Sequence, residues 1–385
     1  MLQDKKSRIF FIIVVIAVLI KLSLFVFAAI HAPQGKILND SRGYLRLSEM
    51  SISKGFFATE DGTQHEMFRT PGYPVFLIIF HGMMKIPLDG IVLMQILMTV
   101  VAAYIVYRTA LIIEPKIAFL SAVIILFDPP ITIYSLTILS ESLFLPLMAL
   151  TMFFFVCYLK NKKIGHLIIS AIFLALAAYV RPVAYYLGFA IPIFILYAGG
   201  RENFRRSLKQ ALIFMAVVYF MIGLWQVRNY IQCHDFDFCA SDRHNMSEVG
   251  LFKSYIRNKD PYTQGMAPLP YYINVSFRSL VSLMTRPGNF KYFHYKPLTV
   301  TGLVLGYPWM VFWLSGLAFG AMWCRRNVYI QFMLFITLYF IVGSVVGQMF
   351  MVDPKLRVSI MPFIAIISAY GWMSVVSKIR LRKAL

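Results

Sequence analysis

IFFIIVVIAVLIKLSLFVFAAI, residues 9–30, holds a single charge, Lys21. An α-helix crosses the hydrocarbon core with about 20 apolar residues, so this stretch reads as a membrane span. Lys5, Lys6 and Arg8 precede it, as in a signal peptide. The run exceeds the usual h-region of about 7–15 residues and leads into further apolar sequence, so it reads as a retained first span.

The rest of the chain has the same character. It is 59% hydrophobic and 14% charged, where soluble domains average about 45–50% and about 25%. Spans are predicted near 9–30, 90–113, 116–128, 142–159, 164–181, 183–199, 208–227, 301–323, 328–350 and 358–377, about ten in all. Fold class is therefore an all-α polytopic membrane protein, with 1–385 as a single transmembrane domain. If the N-terminus is cytoplasmic, the inner segments are 1–8, the Arg108/Lys116 turn, Lys160–Lys163, Arg201–Lys209, Arg325/Arg326 and Lys378–Lys383. All are short and basic, as the positive-inside rule requires. Of 17 acids, only Asp4, Glu114 and Glu202 fall there. Both termini are then cytoplasmic, in what reads as a bacterial inner membrane. The net charge of +20 belongs to this topology and to anionic lipid, so no nucleic-acid partner is expected.

Two longer segments, 31–89 and 228–300, lie outside. Within the first, GYPVFLIIFHGMMKIP (72–87) is short and carries His81 and Lys85. It reads as an interfacial or re-entrant helix, since a span there would invert every later loop. Cys233 and Cys239 share the second segment, where an oxidising compartment permits a disulfide. No CxxC, HExxH or GxxxxGK[ST] spacing occurs, which removes support for a zinc site or a nucleotide-driven pump.

The chemistry-bearing residues gather outside. Asp40 follows the first span by about ten residues and precedes an amphipathic stretch, Tyr44, Leu45, Leu47 and Met50, suited to the interface. A carboxylate there can accept a proton from a hydroxyl, or serve only as a helix N-cap. Arg69-Thr70-Pro71-Gly72-Tyr73-Pro74 forms a stiff turn carrying a guanidinium, whose planar fork suits phosphate. Taken alone, Arg69 reads equally as an arginine snorkelling to lipid. Glu141 stands at the mouth of a span, where a carboxylate needs a cavity or a partner. Arg181, Arg228, Lys355 and Arg357 complete an outer rim of cations that topology does not explain. An anionic ligand held by several helices does.

In their order, Asp40, Arg69–Pro74, Ser140-Glu141, Arg181-Pro182 and Arg228-Asn229-Tyr230 resemble the GT-C type glycosyltransferases that use polyprenyl-phosphate sugars. That family includes protein O-mannosyltransferases and the aminoarabinose transferase of lipid A. The resemblance covers about the first 230 residues. It implies transfer of a hexosyl or pentosyl group from a polyprenyl-phosphate donor to a hydroxyl of a glycan, lipid or protein on the extracytoplasmic face, with inversion. Asp40 would be the catalytic base. Arg69, Arg181, Arg228, Lys355 and Arg357 would bind the donor phosphate, and Tyr44, Tyr73 and Glu141 would position sugar or acceptor. The family often pairs acids early in this loop, whereas Asn39 precedes Asp40, so a divalent cation stays open as a cofactor. Two rivals remain. A ligase or polymerase of polyprenyl-diphosphate glycans would use Arg243, Arg257, Arg278 and Arg286. A transporter or flippase would need ionisable residues at mid-membrane, where only Lys21 stands out.

The orientation is testable with a reporter active only outside the cytoplasm. Fused within 228–300 it is expected to be active, and fused at Lys160–Lys163 silent; the reverse pattern overturns the assignment.

Overall fold

A helix occupies each of the ten predicted spans in the computed structural model, which describes residues 2–241, 255, 263–286, 296–347 and 354–384. In chain order the helices are α1 (Leu2–His31), α2 (Asn39–Lys54), α3 (Gly72–Leu77), α4 (Leu88–Ile113) and α5 (Pro115–Leu126). Then come α6 (Pro129–Ser135), α7 (Glu141–Asn161), α8 (Ile164–Val180), α9 (Leu187–Gly199) and α10 (Phe204–Cys233). The last five are α11 (Pro268–Thr285), α12 (Lys296–Trp323), α13 (Val328–Gly347), α14 (Lys355–Val358) and α15 (Met361–Ala384).

Among the described residues, eight helical segments are long and apolar enough to cross a membrane: α1, α4, α7, Pro182–Gly199, α10, α12, α13 and α15. The spans expected at 116–128 and 164–181 are shorter. Helix α8 has 17 residues, about 26 Å at 1.5 Å each. Helix α5 has 12, about 18 Å against a core of about 30 Å. The sequence Asp128-Pro129-Pro130 explains the stop. Prolines lack the N–H that would extend α5 but fit the first turn of a new helix. The Asp128 carboxylate caps that helix by accepting from Ile131 N at 3.1 Å. Helix α6 leaves at 49° to α5, so the pair is one broken span or a re-entrant element.

The first outer segment is built on α2 and α3. Helix α2 buries Ser41, Gly43, Leu47, Ser48 and Ser51. Small residues let it approach the bundle more closely than an apolar stripe would. Its start is held by Leu38 N donating to Ser41 Oγ at 3.0 Å, so Asp40 sits in the first turn and is not the N-cap. Helix α3 runs on as a π-turn, Ile78–Met83. Together they make 12 residues, Gly72–Met83, too short to cross. Cys233 donates to the His65 carbonyl at 3.7 Å and Cys239 lies 3.1 Å from Ser241 Oγ. The disulfide between them is not formed. Arg243 and Arg257 lie outside the described residues.

The C-terminal third is fixed by glycine. Gly316 and Gly320 on α12 are spaced four apart and face Gly371 on α15. A Cβ at Gly371 would stand 2.0 Å from the Gly316 carbonyl, and one at Gly320 would stand 2.3 Å from the Ile367 carbonyl. Small residues at this spacing let helix backbones touch where lipid offers no hydrophobic drive. Trp372 Nε1 donating to the Phe312 carbonyl at 2.8 Å, and Ser368 Oγ to the Trp313 carbonyl at 2.6 Å, seal the contact. Gly371→Ala is expected to cost about 1–3 kcal/mol by overpacking, read as a lower unfolding temperature in detergent. Gly343→Ala, whose Cβ would meet nothing within 4 Å, is the control expected to leave it unchanged.

Candidate active site

Five charged side chains from five parts of the chain come together at one end of the bundle. Asp40 comes from the first turn of α2 and Arg69 from the turn before α3. Glu141 opens α7, Arg181 closes α8, and Lys355 begins α14. Helices α7 and α8 form an antiparallel pair, which places Glu141 beside Arg181. The two are ion-paired, with Glu141 3% exposed. Lys355 Nζ donates to Asp40 Oδ2 at 2.8 Å. The pairs form one cluster, because the charges of Arg69 and Arg181 act on Asp40, and that of Glu141 acts on Lys355.

Burial pushes the Asp40 carboxyl up, and the charge and hydrogen bond of Lys355 pull it down. With Arg69 and Arg181 adding to the effect, the group is held below the usual carboxylate range. Burial likewise disfavours the charged Lys355, yet Glu141 and Asp40 together raise it above the ordinary lysine value. Arg181 is raised too, its burial offset by Glu141 and then by Tyr44 and Asp40. Lys355 and Arg181 are therefore charged at neutral pH, as is Asp40 between them.

Aromatic and neutral polar groups fix the geometry. The Arg69 guanidinium lies over the Tyr44 ring, 4.5 Å from its centroid, and contacts Glu60 at 3.3 Å. Tyr44 meets Tyr73 edge to face at 4.9 Å, and its hydroxyl is 3.5 Å from Ser140 Oγ. Tyr73 is fully buried, and its hydroxyl donates to Gln95 Oε1 at 2.7 Å. Gln95 in turn donates to the carbonyls of Ser135 and Thr137 at 3.2 and 2.6 Å. The Arg69 turn is capped by Glu66, which accepts from Arg69 N at 2.8 Å and whose carboxyl is raised by burial. Gly43 leaves room for that arginine: a Cβ there would come within 2.3 Å of Arg69 Nη2 and 2.6 Å of Glu60 Oε1.

Two expected members lie elsewhere. Arg228 donates to the carbonyls of Glu66 and Phe57 at 2.7 and 3.2 Å and to Asn229 Oδ1 at 3.0 Å. It ties the first outer segment to α10. Arg357 is 1% exposed and donates to the carbonyls of Leu283 and Met284 at 2.8 and 3.2 Å. It ties α14 to the end of α11. These contacts make both arginines staples between segments, since terminal guanidinium donors of each already bind backbone carbonyls. Sequence reading missed Glu60, Glu66 and Gln95. Only Gln95 carried a signal, as a polar side chain inside a span. Among the described residues no three His, Cys, Asp or Glu side chains group as a metal site. Asp40 and Glu141 are each engaged by a cation, so this donor set does not fit a divalent ion.

Residues 69–225 match the family model described as dolichyl-phosphate-mannose-protein mannosyltransferase. The match begins at Arg69 and takes in Glu141 and Arg181. The whole chain also superimposes on solved membrane enzymes. An oligosaccharyltransferase of Archaeoglobus fulgidus in the apo form gives a TM-score of 0.61 at 14% identity, covering 97% of this chain and 51% of that one. ArnT from Cupriavidus metallidurans in the apo state gives 0.58 at 12% identity, covering 93% and 59%.

The chain has the GT-C membrane fold.

A second ArnT structure, bound to undecaprenyl phosphate, gives 0.55 at 12% identity over 96% and 63%. The chain thus spans about half to three-fifths of the length of these GT-C proteins. No curated protein matches by sequence. The resemblance to GT-C polyprenyl-phosphate-sugar glycosyltransferases therefore holds in both the family match and the fold.

The ion pair across α7 and α8 sets an expectation. Removing one partner of a buried pair leaves the other charge uncompensated, at a cost of about 3–5 kcal/mol. Glu141→Gln is therefore expected to lower the unfolding temperature in detergent, and an unchanged midpoint would show that Arg181 finds solvent instead.

Proposed function

We propose that the chain transfers a sugar from a polyprenyl-phosphate donor to an acceptor hydroxyl on the extracytoplasmic side, with inversion. The observation that carries this reading is the convergence of Arg69, Arg181 and Lys355 around Asp40, with Glu141 paired to Arg181 and the half-exposed Glu60 paired to Arg69. Each of the three cations has one carboxylate partner, and a phosphodiester donor would compete with those carboxylates for the cations. During transfer the acceptor O–H gives its proton to Asp40 as its oxygen bonds to the sugar carbon. The bond from that carbon to the phosphate oxygen breaks. Neutralising Asp40 makes the cluster one charge more positive as the leaving phosphate gains its second negative one. The site thus matches the product-like transition state better than the ground state, the condition for catalysis.

Lys355 has two partners in this scheme. It holds Asp40 before the donor arrives, and the donor phosphate then competes for its ammonium. Once Lys355 turns to the phosphate, Asp40 is released to accept the proton. Arg181, anchored by Glu141, and Arg69, laid on Tyr44, are the less mobile phosphate contacts. Tyr44 lines the same corner and is placed to meet sugar or acceptor; Tyr73, expected to do the same, is fully buried and bonded to Gln95, so it supports Tyr44 edge to face instead. The ArnT structure with undecaprenyl phosphate and an Archaeoglobus AglB with a dolichol-phosphate support a lipid phosphate as the ligand class. Sugar-nucleotide donors are confined to the cytoplasm, which supports a lipid-linked donor at this face. A direct displacement has no covalent intermediate, which gives inversion. No step is assigned to a metal ion.

Asp40→Asn is expected to keep binding of bare polyprenyl phosphate while losing transfer by about 10²-fold or more. If neither this variant nor the wild type transfers sugar or binds the lipid phosphate, the cluster serves another anion and a transporter becomes the better reading. The pH profile gives a second test. A depressed Asp40 stays ionised below the ordinary carboxylate value of about 3.9, so kcat/KM is expected to be flat from pH 7 down to pH ~5. Lys355→Ala removes the principal cation and lets the Asp40 pKa rise, so the acid limb moves to higher pH. An unmoved limb in that variant would detach Asp40 from the rate.

A further inference from the structure

A second group of charges is buried in the bundle, and the reaction as drawn does not use it. Lys21 of α1, Asp128 between α5 and α6, and Arg357 of α14 are 1%, 0% and 1% exposed. Lys21 Nζ donates to Thr132 Oγ1 at 2.8 Å, and Thr132 Oγ1 donates to the Asp128 carbonyl at 3.1 Å. Asp128 uses Oδ2 to cap α6, but its Oδ1 is buried without a hydrogen-bond partner. Arg357 lies over the Trp313 ring at 5.2 Å, and its Nε is likewise buried without a partner. The charges that act on Asp128 are those of Arg357 and Lys21. Helix α6 packs directly on α14, and α14 on α11.

A buried carboxylate without a cation is costly, and so is a buried guanidinium without an anion. With the α6 end packed on the α14 turn, the two groups offset each other's charge through space. The position of Arg357 makes this matter to the site. Helix α14 is a single turn of four residues, in which residues two apart point about 200° away from each other. One turn therefore presents Lys355 to the charged cluster and Arg357 to the buried group behind it.

We propose that Asp128 is a positioning residue for the donor-phosphate site: through Arg357 it locks the α14 turn and so holds Lys355 against Asp40. Asp128 touches no substrate in this arrangement. It fixes the mounting of the one phosphate contact that must exchange partners during turnover. A mobile ammonium works only if its backbone stays still, so α14 is clamped by Leu283 and Met284 carbonyls on one side and by the Asp128 charge on the other. The proposal deepens the glycosyl-transfer reading and rests on the phosphate role given there to Lys355.

The test separates the two ideas. Asp128→Asn keeps the volume and the capping oxygen and removes only the charge. In the first arm, Lys355→Cys is alkylated with a charged thiol reagent, with and without the added Asp128→Asn change. Modification at residue 355 is read by mass spectrometry. Loss of the lock is expected to speed labelling by about fivefold or more, as local opening becomes easier; an equal rate overturns the proposal. In the second arm, Asp128→Asn alone is expected to lower kcat/KM for a polyprenyl-phosphate sugar by about tenfold or more, mostly through KM. On a Lys355→Ala background it should add nothing, because the effect travels through Lys355. Additive losses would mark Asp128 as merely structural and overturn the assignment. Should Asp128→Asn fail to fold, Arg357→Gln, which removes the charge through which Asp128 acts, passes through the same arms with the same expected outcomes. If the wild type transfers no sugar, the glycosyl-transfer reading falls, while the labelling arm still decides whether Asp128 locks the turn.

Discussion

The buried ion pair between Glu141 and Arg181 is the constraint around which the site is built. It ties the start of α7 to the end of α8, two helices already packed along their length. Each ion alone at that depth would be untenable, and their attraction offsets desolvation only if both are held rigidly. The rigidity comes from sequence-local devices. Pro182 follows Arg181 and stops α8 there, while the fully buried stretch 130–142 closes around Glu141. Everything more mobile is hung on this pair. Lys355 feels Glu141 as well as Asp40, and Arg181 feels Tyr44 as well as Glu141.

A gradient of mobility follows from that base. Arg181 is fixed by a carboxylate, and Arg69 is laid on a tyrosine ring over a glycine that leaves it space. Lys355 is a flexible stem on a short clamped turn. In the proposed reaction, an entering phosphate would meet one cation held by a carboxylate, one laid on a ring and one on a flexible stem. The two remaining arginines do a different job. Arg228 and Arg357 bind carbonyls of neighbouring segments, so the loops that carry the reactive groups are themselves pinned by guanidinium forks.

Much of this was legible in the chain. The apolar run at 9–30, the basic inner turns and the excess of cations at the other end followed from composition and spacing. Asp40, Arg69, Glu141, Arg181 and Lys355 could be named, because charges at the mouths of spans demand a partner. What failed to read through was which cation goes where. Lys355 and Arg357 are two residues apart and look equivalent in sequence, yet a helical turn sends them to opposite sides. Arg228 looked like an anion ligand because the carbonyls of Phe57 and Glu66 that it binds are distant in sequence. The expected ten full spans became eight because Pro129 and Pro130 break one run and α8 is short, and hydropathy does not see either helix end. Gly316, Gly320 and Gly371 reveal nothing individually. Their role exists only once α12 and α15 are placed together.

The break between α5 and α6 has a consequence for the surroundings of the site. Helix α6 is turned beneath the α7 start, and its residues from Pro130 to Ser135 are all buried. The charged cluster therefore rests on protein, with the Ser135 and Thr137 carbonyls committed to Gln95. Within it Asp40 and Lys355 stay partly exposed, while Glu141 is buried. Mobile salt weakens exposed charge pairs beyond a screening distance of about 8–10 Å, but acts much less on pairs embedded in a low-dielectric wall. Added salt should therefore weaken the Lys355–Asp40 pair more than the Glu141–Arg181 pair, so the part of the cluster that can exchange partners is also the part that feels the medium.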